Sequence, residues 1–551
     1  MTNQKTLSGI AVLLLLQLGT LSESQAFNIA TDDPNLNIRW DNTLKYSAAW
    51  RLKDPSATLI SDINQDDGDR NFKKGLISNR VDLLTEFDVK YQDIGARLSG
   101  AAWYDSIYNR TNDNNSPGTA NAYSVPYNEF TNAAKKLHGR KGELLDAFVF
   151  GKAEFGEATA SFRVGKHSLL WGESLFFGDN GIAGKQSPMD YAKLLSVPNS
   201  QFKELIRPIE QLSGQIQVSP HLSFGAYYQL KWEENIFPAV GSYFSRGDVL
   251  GDGTERLIAG APVVPGGGPL AFFHQGDLRA RNSGQGGLQM RYHDQSTATD
   301  YGLYAIRYHD KNQVFYLRPS ATPDVVSGNI GQLQFVYPEN IKAYGASFST
   351  SGKIVNLAGE ISVRRNTPLV SAGDAVVVMP GVVADNRDNP LYAIGNSLHA
   401  QVSTLSVLER TSFWDTATFL GEVAWNRRTS ITRNAGALDP TTTRDAWGFR
   451  FIFTPLFYQV MPGLDVGIPV GLGYNPKGKS STVLLFNGGQ DKGGDFSIGL
   501  SGDYFQTWKF GLNYSHFFGS EGTFLNPAGL LSAKQALRDR DFVSLSVQRT
   551  F

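Results

Sequence analysis

From residue 36 onward the chain alternates. Ile38, Trp40, Leu44, Tyr46, Ala48 and Trp50 fall on one parity, and Arg39, Asp41, Thr43, Lys45, Ser47 and Arg51 on the other. A period of two is that of a β-strand with one oily face and one wet face. The pattern returns at Phe496, Ile498, Leu500 and Tyr504 against Asp495, Ser497, Ser501 and Asp503. It returns again at Trp508, Phe510, Leu512 and Tyr514 against Thr507, Lys509, Asn513 and Ser515. Short turns such as Gln92–Asp93, Ser219–His221 and Thr350–Lys353 alternate with long polar stretches near 53–78, 109–143, 171–208, 234–284, 311–339, 367–395, 428–443, 472–489 and 519–540. Counting every alternating run gives about 19 strands, an odd number at odds with two chain ends on one side of a membrane. Requiring all long loops to leave one rim localises the conflict to Ile330–Tyr337, which is therefore assigned to a loop. The expectation is all-β: a transmembrane antiparallel up-and-down β-barrel of about 18 strands, with long extracellular loops on one rim and short turns on the other.

The N-terminus carries the one long apolar run. Lys5 is the sole charge before Ile10–Leu18, and Ser24-Gln25-Ala26 supplies small residues where a signal peptidase reads. This predicts a signal peptide over 1–26, cleaved before Phe27, and a single barrel over 27–551. The run is too short to span a bilayer as a helix. Absence of cysteine among 551 residues suits export through an oxidising periplasm. Lys and Arg total 51 against 52 Asp and Glu, which leaves no basic face for nucleic acid. Mean hydropathy of −0.25 is too polar for a helical membrane protein and suits a barrel, in which only alternate residues meet lipid. The last strand, Phe542–Phe551, puts Val543, Leu545, Val547 and Phe551 on one face. Such a strand ending in Phe551 is the signal the barrel-assembly machinery reads. The expected place is the Gram-negative outer membrane, among its lipid and lipopolysaccharide.

Chemistry is sparse. Gly473–Ser480 satisfies the phosphate-loop pattern literally, but Ser481–Phe486 does not read as the helix that pattern needs. Asp62–Asp69 is rich in oxygen ligands, yet Asp67 stands where an EF-hand loop has glycine and Lys73 at its twelfth position. A solvated turn is favoured there over a looser calcium site, and no metal or cofactor is assigned. Neither a nucleophile-elbow serine nor a zincin motif is present, so no catalytic residue is named. His293 and His309 read as incidental. The informative set is the wet parity of the strands: Glu86 and Asp88, Arg97, Arg163, Glu360, Arg364, Glu422, Arg450, Asp495, Asp503 and Lys509. Charges on the lipid face would cost a few kcal/mol each at mid-bilayer, so these side chains should line a lumen and filter solutes. The stretch Val164–Pro208, with Trp171, Glu173, Phe176, Phe177 and Asp179, is the candidate for a loop folded inward as a constriction (171–208) or an amphiphile-binding shelf.

Several segments carry a resemblance: Leu44–Arg51, Leu144–Gly151, Val164–Ser174 with its W-G-E-S run, Phe202–Pro208, Tyr337–Ser349, Ala358–Leu369, Phe457–Leu472 and Arg540–Val547. Together they resemble the proteobacterial family catalogued as domain of unknown function 1302. This chain departs from the family at Lys166-His167, where an arginine is expected, and at Asn199, where a glycine is expected. The resemblance implies an outer-membrane barrel that keeps company with a second exported family and with inner-membrane transporters of the resistance-nodulation-division (RND) type, and hence with hydrophobic or lipid-like cargo. The leading expectation is a non-enzymatic channel that passes such a solute through a charged lumen. The alternatives are a non-conducting structural or assembly partner of the RND-type transporters, working with a periplasmic protein, and an outer-membrane lipid hydrolase. Conductance separates the first from the second.

Overall fold

The computed structural model describes residues 27–352, 355–372 and 375–551; the expected signal peptide lies outside them. Among the described residues, eighteen antiparallel strands form the wall. They are β1 (Leu36–Arg51), β2 (Gly75–Tyr91), β3 (Ile94–Asp105), β4 (Arg140–Phe155), β5 (Ala158–His167), β6 (Ile209–Gln217), β7 (Leu222–Gln229), β8 (Gln285–Asp294) and β9 (Thr299–Tyr308). The second half comprises β10 (Ile341–Ser351), β11 (Val355–Pro368), β12 (Ile394–Leu408), β13 (Thr416–Arg433), β14 (Asp445–Met461), β15 (Leu464–Gly467 with Val470–Lys477), β16 (Gly493–Tyr504), β17 (Trp508–Phe518) and β18 (Phe542–Thr550). Each strand pairs with its neighbour in sequence, and β18 pairs with β1 from Thr43↔Thr550 to Arg51↔Phe542, so the ring closes and no edge is left to aggregate. Strand β15 is broken at Ile468–Pro469, because proline has no amide to donate; the Pro469 carbonyl still accepts from the Gly499 amide at 2.9 Å.

Parity sets the faces as the sequence predicts. Leu98, Leu288, Leu303, Ile361 and Leu500 stand out from the wall, exposed where lipid would cover them. Arg549 shares that outward parity; its guanidinium lies over the Trp508 ring, 5.2 Å from the centroid, rather than extending alone toward headgroups.

All long connections leave one rim: 52–74, 106–139, 168–208, 230–284, 309–340, 369–393, 434–444, 478–492 and 519–541. Seven of these match the predicted loops to within four residues; 434–444 and 478–492 begin six residues later than predicted, because the strands before them run on. Ile330–Tyr337, assigned to a loop, falls outside the wall as expected, yet it is not irregular: Asn329–Val336 is a strand of a separate five-stranded sheet. Its other members are Arg256–Gly260, Leu270–His274, Val314–Asp324 and Ala375–Val377, and it packs on Trp232, Phe315, Leu333 and Tyr337. Alternation alone cannot separate a wall strand from a strand in a loop, which explains the odd first count. A second apolar core joins five connections, through Phe72, Tyr108, Phe130, Ala192, Tyr243 and Leu537. Beside it Arg51, Asp69, Asp539 and Arg540 form a buried, charge-balanced quartet, with Arg51–Asp69 at 2.8 Å and Arg540–Asp69 at 3.0 Å. The long loops thus pack into a crown.

Candidate functional site

Leaving β5, the connection 168–208 turns into the barrel, and its Met189–Leu195 stretch also packs under the crown against the connection 230–284. Trp171 leads. It is 8% exposed and packs on Tyr227 of β7 and Tyr304 of β9, with Ile182, Tyr308 and Ile341 around it. The next residues wrap two wall carboxylates. Glu360 on β11 accepts the amide of Glu173 at 2.8 Å on one oxygen and that of Ile182 at 2.7 Å on the other. Glu422 on β13 accepts the amides of Leu175, Phe176 and Phe177 on a single oxygen, at 3.2, 2.5 and 3.0 Å. Arg364 on β11 donates to the carbonyls of Asp179, Asn180 and Gly181 at 2.9, 2.5 and 3.2 Å. Asn180 is held by Gln401 at 3.2 Å and by His399 at 3.0 Å. Phe177 packs on Phe486 of the connection 478–492, with the rings tilted and their centroids 5.4 Å apart.

Glycine makes the wrap possible. Gly172, in the W-G-E-S run, has φ +97°, and a Cβ on it or on Gly181 would overlap an oxygen of Glu360.

The segment then recrosses the lumen. A short helix, α1 (Tyr191–Ser196), starts at Asp190, whose carboxylate accepts the Lys193 amide at 2.7 Å. Arg207 pairs with Glu143 on β4 at 3.1 Å, Lys193 lies 3.7 Å from the same carboxylate, and Lys203 bonds to Glu86 on β2. Asn199 donates to Ser546 on β18 at 2.6 Å. In a ring of eighteen, β2 and β11 are nine strands apart, as are β4 and β13. The loop is therefore a bar tied to diametrically opposite walls. The departure at Asn199 also finds its reason: φ there is +52°, a conformation open to glycine and tolerated by asparagine.

The bar divides the predicted lumen charges into two groups. Glu86, Glu360, Arg364 and Glu422 are 7, 6, 2 and 2% exposed and serve as its moorings. The others stand clear of the bar: Arg97 in a two-bond pair with Asp88 at 2.7 Å, Arg163 exposed beside Phe148, Asp503 in register with an exposed Lys509, and a part-buried Arg450 that bonds both Asp495 at 2.5 Å and Asn487 of the connection 478–492 at 3.1 Å. Of the loop candidates, Glu173 points a half-buried carboxylate to within 3.6 Å of Arg291 on β8. Asp179 accepts the Tyr191 hydroxyl at 2.5 Å. Trp171 is buried against the wall and Phe176 packs beside the Phe177–Phe486 cluster, so neither offers the open aromatic shelf that was one reading of this loop.

Sequence reasoning passed over Glu143, Arg291 and His399. The first two carry charge on the wet parity and were findable. His399 was not, because only the fold brings Asn180 to it.

One further feature belongs to the lumen. Register places Leu405 (β12), Leu420 (β13) and Ile452 (β14) side by side on the inner face, one inward position nearer the short turns than Glu422 and Arg450. Two other apolar clusters on the inner face, around Trp171 and at Leu84, Trp103 and Leu145, are buried, whereas Leu405 is exposed to the lumen. Across the ring, β2–β5 present Glu86, Asp88, Arg97 and Arg163. The phosphate-loop pattern has no such role: Gly473 lies within β15 against Arg450, and Lys477 ends that strand.

A closed barrel with an apolar exterior, a charged interior and a loop drawn across it defines a transmembrane β-barrel of the outer-membrane type. More particularly, the chain belongs to the family described as protein of unknown function (DUF1302), whose profile matches residues 7–551. No curated protein matches the sequence. Among solved structures it is similar to OccAB3 of Acinetobacter baumannii, at 10% identity and a TM-score of 0.43, covering 93% of this chain and 99% of the other. It is also similar to OccK9 (OpdG) of Pseudomonas aeruginosa, at 10% and 0.41, covering 93% and 98%. A third is the outer membrane channel DcaP of Acinetobacter baumannii, at 7% and 0.37, covering 95% and 99%.

Proposed function

We propose that this protein is a substrate-selective outer-membrane channel whose aperture is set by the bar 168–208. The observation that carries the reading is the mooring of that bar: five backbone amides converge on Glu360 and Glu422, and three carbonyls on Arg364. Loop backbone held this way by buried wall charges is a built part of the lumen, and a narrowed, charge-lined passage filters solutes by size and charge. The solute class we favour is an amphiphile with a polar or charged head. A wholly apolar lipid would cross charges at Arg97–Asp88 and Arg450–Asp495, whereas the row Leu405, Leu420 and Ile452 suits a tail lying opposite the charged arc.

Planar-bilayer recording tests this. The wild-type protein should conduct, Glu360→Ala should conduct more with weaker ion selectivity, and a medium-chain carboxylate or cationic detergent should block wild-type current more strongly than a small ion of the same charge. No current from either protein would refute the channel and leave the non-conducting transporter partner as the reading.

A further inference from the structure

The crown holds a second cluster that the bar does not use. Asp66 and Asp67 on the connection 52–74 meet Asp248 on the connection 230–284, with one carboxylate oxygen from each within 4.8 Å of the others. All three are buried, at 1, 3 and 0% exposure, so the solvated turn expected of Asp62–Asp69 is not what forms: the acids face inward, under the crown.

Their partners leave a gap. Asp67 is held in place by Asn114 at 2.9 Å, by Asn121 at 3.1 Å and by the Thr119 hydroxyl. Asp248 accepts the Asp67 amide at 3.2 Å on one oxygen, and Asp66 accepts Arg70 at 2.5 Å on one oxygen. The remaining oxygen of each, Oδ1 of Asp66 and Oδ1 of Asp248, is buried without a hydrogen-bond partner among the described residues. The hydroxyls of Ser242 and Ser245 are buried and unpartnered too, and Ser245 Oγ and the Ser242 carbonyl crowd Gly68, next to Asp67.

Charge makes the gap specific. Among the described residues, Arg70 is the one cation paired with the three acids, which leaves a surplus of two negative charges when all three are ionised. The neighbouring quartet of Arg51, Arg540, Asp69 and Asp539 is already balanced and cannot cover it. A buried surplus of this kind is costly unless something neutralises it. The donors are all oxygen, which suits a hard divalent cation, and millimolar calcium is the form in which external sites meet one.

We propose that Asp66, Asp67 and Asp248 bind a calcium ion that staples the connections 52–74 and 230–284 together, with 106–139 locked on through its hydrogen bonds to Asp67. The ion supplies the positive charge and fills the coordination that the two idle oxygens leave open.

The test uses the full-length barrel in detergent at pH 8, stripped with EDTA and titrated with calcium chloride. Isothermal titration should give a single site with a dissociation constant between roughly 10⁻⁵ and 10⁻³ M, and thermal unfolding should shift upward by several degrees. Asp248→Asn should lose both responses and, in EDTA, melt at or above the wild type, because it removes buried repulsion. Asp66→Asn provides a second variant with the same expectation should the first fold poorly. Absence of heat and of any thermal shift in the wild type overturns the proposal. So does a calcium response retained by both variants, or a full response to magnesium at equal concentration.

Discussion

One oxygen of Glu422 takes three successive amides, a geometry that only an ionised or strongly polar acceptor sustains. Hydrogen bonds to a charged group contribute about 1.5–3 kcal/mol each, and losing the acceptor leaves buried donors unsatisfied. Glu422→Ala is therefore expected to weaken bar docking by about 3 kcal/mol or more. Protease cutting within 172–187 should become faster while the barrel's heat-resistant gel mobility is kept. A similar loss is expected from Gly172→Ala, where the left-handed backbone and the clash with Glu360 act together. Arg450→Ala should differ in kind: it pairs with Asp495 and holds Asn487 but touches no residue of the bar, so ion selectivity should change while the bar stays protected.

Lys311 is a further residue-scale device. It is buried and donates to the Lys185 carbonyl at 3.4 Å, and burial pushes its ammonium down to about 7, against the pull of Asp310 and Asp179 and with the push of Lys185. Arg364 and Tyr308 complete the surroundings of Lys185. A lowered lysine binds fewer protons folded than unfolded, so its contribution improves as pH rises from about 7 toward the unfolded value and stays unfavourable below that window. Lys311→Met should raise stability at pH 7 by roughly 1–3 kcal/mol and flatten the pH dependence of the melting temperature between pH 7 and 10.

Elements were legible where period two was the whole story. Wall strands, turns and loop bounds follow from parity, and parity also put Glu86, Glu360, Arg364 and Glu422 on the correct face. What they do there was hidden, because parity says which way a side chain points and not what meets it. The bar that meets them is an irregular loop, and its moorings on Glu360 lie 187 and 178 residues away in sequence. Asp248 was invisible for the same reason, 181 residues from Asp67 with no local pattern around it. The sign that was present is the W-G-E-S glycine, which makes sense once its positive φ is seen. At this scale, replacing residues 172–187 with a short glycine-serine linker is expected to leave the wall folded and to raise single-channel conductance several-fold; an unchanged conductance would mean that the aperture lies elsewhere.

For the whole molecule, stability rests on closure and on an oily exterior. Leu303, 52% exposed on the outer face and opposite Met290, sits midway along β9. Leu303→Arg should cost about 2–4 kcal/mol in urea refolding from lipid vesicles. The bar adds something that closure does not supply. Moored on β2 and β4 at one end and on β11 and β13 at the other, it is a tie across a hoop. A hoop with one stiff diameter resists flattening along that direction and yields along the perpendicular one. Lateral pressure from the membrane would then be felt as a change in the shape of the two gaps beside the tie, so that the mechanics of the surrounding bilayer become an input to which solutes pass.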